Sequence, residues 1–218
     1  MLTAKPTKYG AGITLAGDYA DLAEAHETVH HLASETGPLP AHHDEFALGL
    51  AYDLRKAYEG ARRIESTAVH GNAADYYAVD VLWPIFLVQL GMLRTAAGYL
   101  PTSRAHQATL YRLEACAEQA MSAFDPATSG ICMRWLTYFT PLPDTFLFEF
   151  VSQQAHNFVF GAAAGKSRFK RLPATLADIN SLSQRYRDFE RALSEQAAKE
   201  KCSPQDLHDL SEWPEFKW

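Results

Sequence analysis

The sequence predicts a mainly helical α+β fold, with a small antiparallel sheet from two β-hairpins packed against roughly five to seven helices. Three observations point there. Stretches of β-forming residues punctuated by glycine lie near residues 2–17 and 63–82. Most of the remaining chain repeats apolar residues at helical spacing. The composition is that of an ordinary globular protein, with 47% hydrophobic and 21% charged residues in 218. Length and composition fit a single domain, 1–218. Its halves are a hairpin–helix–helix–hairpin–helix part over 1–100 and a helical part over 101–218, sharing one core.

The first hairpin takes its turn from Lys8-Tyr9-Gly10-Ala11-Gly12, and Ile13-Thr14-Leu15 has strand chemistry. Asp18 then N-caps a helix, and Asp21 sits at the positive end of its dipole. Leu22, His26, Val29 and Ala33 share one face of that helix, which Gly37-Pro38 ends. A second helix runs from Asp44 to Gly60, with Phe46, Leu50, Leu54 and Ala57 as its stripe. Arg63 to Val69 and Tyr76 to Leu82 form the second hairpin around His70-Gly71-Asn72. Trp83-Pro84 marks a strand-to-helix junction, because the residue before proline prefers extended backbone and proline suits a first helical turn. Helices follow over 84–99, 103–124, 144–160 and 174–201, with 84–99 the most buried. Residues 125–143 read as irregular apart from a strand at Ile131 to Phe139, and Lys166 to Pro173 as a basic linker.

Charge and cysteine usage narrow the function classes. A net charge of −6 argues against a nucleic-acid-binding protein or one held on an anionic membrane. The most apolar run, Val81 to Leu93, is thirteen residues long, short of the about 20 a bilayer needs. The N-terminal residues lack the apolar core of a signal peptide and the Arg-rich pattern of a transit peptide. Cys116, Cys132 and Cys202 are odd in number and widely spaced, as expected of free thiols in a reducing cytoplasm.

His26-Glu27-Thr28-Val29-His30 matches the HExxH pattern of zinc hydrolases. On a helix, residues four apart share a side, so two imidazoles can reach one ion while Glu27 serves as general base toward metal-bound water. His42 and His43 follow a Gly-Pro loop and could swing back, with His43 the candidate third ligand; Asp44, Glu45, Glu65 and His70 are weaker options. Glu24 puts a charge where zincins carry an uncharged residue, and Ala33 stands where the astacin-like form has glycine. The plainer alternative makes His26 a satisfied core residue beside Leu22 and Val29, and this alternative is preferred because the motif lacks a third ligand at a standard position.

Other matches are cheaper. Gly161 to Ser167 resembles a Walker A loop but is one residue short, with Phe160 in the first glycine position, and fits a helix C-cap. Arg63 and His70 have the spacing of HEPN ribonucleases but fall in a predicted hairpin. A di-iron bundle needs two ExxH motifs, and Glu27-Thr28-Val29-His30 supplies one. Lys166, Arg168, Lys170 and Arg171 cluster into a basic patch that could meet an anion or an acidic partner. Trp213, Phe216 and Trp218 make an aromatic C-terminal tail expected to fold back on its own domain.

Two stretches, Lys5-Pro6-Thr7-Lys8 through Gly17-Asp18-Tyr19-Ala20-Asp21-Leu22 and Leu82-Trp83-Pro84-Ile85-Phe86, resemble a family of uncharacterised bacterial proteins of similar size. The resemblance spans most of the chain and implies a bacterial cytosolic protein, with no activity attached. The preferred reading is a non-enzymatic interaction or regulatory module without a cofactor, working on a protein partner or by self-association. The alternative is a zinc-dependent hydrolase.

Overall fold

Two hairpins build the sheet of this computed structural model, which describes residues 1–33, 41–69, 72–140, 142, 146–204, 207 and 213–218, with backbone alone at 41–43, 66–69 and 72–74. β1 (Thr3–Pro6) pairs antiparallel with β2 (Gly12–Gly17), and β3 (Arg63–Val69) with β4 (Asn72–Leu82). β4 starts at Asn72, earlier than Tyr76. β2 then joins β4, with Ile13 opposite Val81 and Leu15 opposite Val79, so the order is β1-β2-β4-β3. Ion pairs cross the outer face: Arg63 binds Asp80 and Glu65, and Lys5 also binds Glu65. Such exposed pairs contribute about 0–1 kcal/mol each; the buried Ile13, Leu15, Val79 and Val81 hold the sheet to its helices.

α1 (Tyr19–Leu32) opens with a reciprocal capping box between Asp18 and Asp21. α2 (Ala41–Lys56) buries Phe46, Leu50 and Leu54 as the spacing predicts, then widens into a π-turn over Ala57–Ala61. α3 (Trp83–Ala97) runs through the centre, with Pro84 in its first turn. It is apolar all round because it touches α1, α2, β2, β4 and four later helices, α4, α5, α6 and α8, placed below. Trp83, Phe86, Leu87, Leu90 and Leu93 are fully buried. At Gly91 an added Cβ would stand 2.4 Å from the Phe139 ring, so the missing side chain is what lets that ring lie on the helix.

α4 (Arg104–Phe124) is capped by Ser103. α5 (Pro126–Thr137) overturns the expected strand at Ile131 to Phe139. Asp125 accepts hydrogen bonds from the Thr128 amide (3.1 Å) and hydroxyl, Pro126 occupies the first turn, and the buried Thr128, Ser129, Cys132 and Leu136 recur at helical spacing. α6 (Leu147–Phe160) follows, then α7 (Lys166–Phe169), α8 (Leu172–Asp178) and α9 (Gln184–Glu200). The helix expected over 174–201 is therefore two. Ser183 Oγ donates to the Asp178 carbonyl (2.8 Å) and accepts from the Tyr186 amide (3.0 Å), so it ends one helix and caps the next. Lys166 to Pro173 is not a linker either, because Arg168, Phe169 and Leu172 are buried. The core cluster runs from Leu2 to Tyr186, and Trp213 and Phe216 pack against it.

Candidate functional site

The HExxH residues lie on α1, where Leu22, Ala25, Val29 and Leu32 face the core. His26 falls one step outside that stripe and is half-buried, not a core residue; Glu27 and His30 are exposed. The reason is angular: inward positions at 25 and 28–29 leave 26 on the flank of a 3.6-residue turn. The His26 ring meets His30 edge-on at 4.6 Å between centroids and Tyr58 at 5.8 Å, and Tyr58 in turn meets Tyr19 at 5.1 Å. Burial first, then the neighbouring His30 and Arg55, hold the His26 imidazole below its ordinary pKa.

Two imidazoles thus come together, but among the described residues no group of three or more His, Cys, Asp or Glu side chains converges as a metal site. The His43 and His42 side chains, and His70, lie outside the described residues. Glu65 is engaged by Lys5 and Arg63, and Arg63 itself lies in β3 holding Asp80, away from any helix start. Asp44 is buried in α2 and, like Glu45, has its own interactions.

The basic cluster divides. Lys166 and Lys170 are exposed and Arg171 is half-buried, whereas Arg168 is only 4% exposed and belongs to no surface patch. Phe169, Leu172 and Leu176 pull this segment inward, and all are fully buried. Their spacing, continued by Ile179, is an apolar stripe visible in the sequence beneath the more conspicuous basic residues.

Arg168 is held by backbone from both ends of the chain. Its Nη1 donates to the Tyr9 carbonyl (3.3 Å) and the Lys217 carbonyl (2.7 Å). The Gly165 amide also donates to the Tyr9 carbonyl (2.7 Å), and the Tyr9 amide donates to the Trp218 carbonyl (2.7 Å). Gly10, at φ +72°, makes the β1–β2 turn tight enough for this; a Cβ there would stand 2.9 Å from the Gly165 carbonyl. Arg168 Nε is buried and has no hydrogen-bond partner among the described residues. Desolvation by burial lowers the pKa of this guanidinium from its ordinary value.

Beside it lies a cavity of about 410 Å³ lined by Val159, Phe160, Ala162, Ala164, Arg168, Glu215, Phe216 and Lys217. The aromatic tail forms one wall. Trp213 stands edge-on to His156 (5.5 Å), and Phe216 meets Phe160 at 6.0 Å and Trp218 at 4.9 Å. The lining mixes polar and apolar surface and carries two cations and one carboxylate. The Cys116 and Cys132 thiols line no part of it, and burial pushes them up to about 11 and about 12. Thiols so shifted stay protonated and are poor nucleophiles at neutral pH.

A family described as Domain of unknown function (DUF6904) matches residues 2–218. No curated protein and no solved structure matches the chain.

Proposed function

The chain belongs to the DUF6904 family, and we propose that it is a non-enzymatic, cytoplasmic binding module whose working site is the cavity beside Arg168. One observation carries the reading: a guanidinium 4% exposed, with an unpartnered Nε, lines a cavity of small-ligand size. A buried cation without an anion is costly to the fold, and a ligand that supplied the anion would recover that cost. The proposal requires no cofactor.

The test is thermal unfolding in acetate, phosphate and hexanoate at constant ionic strength. Binding to the folded state raises Tm with ligand concentration. At least one anion should raise the Tm of the wild type and fail to raise that of Arg168→Met. Equal shifts in both proteins would remove Arg168 from any binding role and the reading with it. The zinc-hydrolase alternative rests on the His26–His30 pair at 4.6 Å. It predicts stoichiometric zinc in protein purified without a His-tag, lost in His26→Ala, and protein purified without zinc retires it.

A further inference from the structure

We infer that the Arg168 cavity is a site for a small monocarboxylate carrying an apolar body. The inference rests on the binding reading above and adds the class of ligand. Arg168 spends Nη1 on the two carbonyls of Tyr9 and Lys217. The opposite edge of a guanidinium carries Nε–H and Nη2–H in parallel, the fork that meets both oxygens of a carboxylate. Among the described residues the buried Nε makes no hydrogen bond and both hydrogen bonds of the group leave from Nη1, so that edge is unspent.

The walls select the rest of the ligand. Val159, Phe160, Ala162, Ala164 and Phe216 offer apolar surface. Arg168 and Lys217 against Glu215 leave one net positive charge in the lining, which balances a monoanion. A phosphate dianion would need more donors than this fork, would set its second charge against Glu215, and would leave oxygens against apolar side chains. The volume of about 410 Å³ sits in the lower part of the range for small-molecule sites.

The experiment titrates hexanoate, hexanol and inorganic phosphate into the 218-residue chain by calorimetry at constant ionic strength. Hexanoate should bind at least about tenfold more tightly than hexanol or phosphate. Arg168→Lys keeps a charge but loses the fork, and should weaken hexanoate about tenfold or more. Glu215→Gln removes the one carboxylate of the lining, so it should strengthen phosphate, with its second charge, by a larger factor than hexanoate. If Arg168→Lys does not fold, the hexanoate-to-hexanol ratio in the wild type and the Glu215→Gln shift still decide. Phosphate binding more tightly than hexanoate, with its affinity lost in Arg168→Lys, would overturn the carboxylate and leave the binding module standing. Hexanol matching hexanoate, no binding of either, or an unchanged Arg168→Lys would overturn the site.

Discussion

Burying a guanidinium costs several kcal/mol unless its donors are used, and at Arg168 two backbone carbonyls use Nη1 alone. A second titratable side chain in a demanding place is His106. Its ring lies 4.2 Å from His31, and its Nδ1 accepts from the Ser103 amide (3.4 Å) in the capping box of α4. His31 Nε2 lies 2.9 Å from the Pro101 carbonyl and so carries the proton toward it. Burial first and His31 second hold His106 below the ordinary 6.5, and a proton on Nδ1 would break the cap at a helix end that already repels cations. The unfolded chain therefore takes the proton first as pH falls. The stability His106 contributes is complete above about pH 6.5 and is lost as pH falls through that value toward the lower folded one. Tm should decline between about pH 7.5 and 5.5. His106→Gln preserves a capping acceptor without titrating, so its decline should be shallower, and an identical slope would discharge His106 from the effect. His26, shifted the same way, leaves a residual slope.

At the scale of elements, α3 is where burial concentrates. Phe86→Ala should cost about 3–5 kcal/mol, because the ring is fully buried and its neighbours are held by other helices. Urea unfolding checks it, and an unchanged midpoint would place the core elsewhere. Gly91→Ala should cost about 1–3 kcal/mol, since its methyl meets the Phe139 ring that α3 accommodates; Phe139→Ala in the same background should then recover part of the loss. The helices legible in the sequence were those with a wide apolar stripe or a standard cap, such as α2 with Phe46, Leu50 and Leu54 and α1 behind Asp18. The sheet was legible from its glycines and β-branched runs. α5 was obscured because its β-forming residue Ile131 points outward, 45% exposed, while small Thr128, Ser129 and Cys132 face in. The α8–α9 break was obscured because its Ser183 cap sits inside an amphipathic pattern that continues across it. Of the candidate cavity, Arg168 was visible as one charge among four, but its burial depends on Tyr9 and Lys217, which no local pattern links to it.

On the scale of the whole molecule, the two ends of the chain meet at one place. The Tyr9 carbonyl takes the Gly165 amide and Arg168, the Tyr9 amide reaches Trp218, and Arg168 reaches Lys217. Residues far apart in sequence thus close a ring of hydrogen bonds at Arg168, beside the cavity, and loop closure of that length must be offset by the contacts it permits. Those contacts are the edge-on and tilted rings of His156, Phe160, Trp213, Phe216 and Trp218 and the charge-assisted bond to the Lys217 carbonyl. Deleting residues 213–218 removes them together. Phe160 loses its cover, the Tyr9 amide loses its acceptor, and Arg168 keeps one carbonyl where it had two. A bond to a charged group contributes about 1.5–3 kcal/mol, and aromatic burial adds to it, so the truncated chain should be less stable by on the order of 3 kcal/mol. The measurement is the urea midpoint, read beside light scattering. A lowered midpoint at unchanged mass confirms a tail that serves its own fold. An unchanged midpoint with a lost assembly would make the tail a partner's ligand instead, and the ring around Arg168 would then have no part in holding the molecule together.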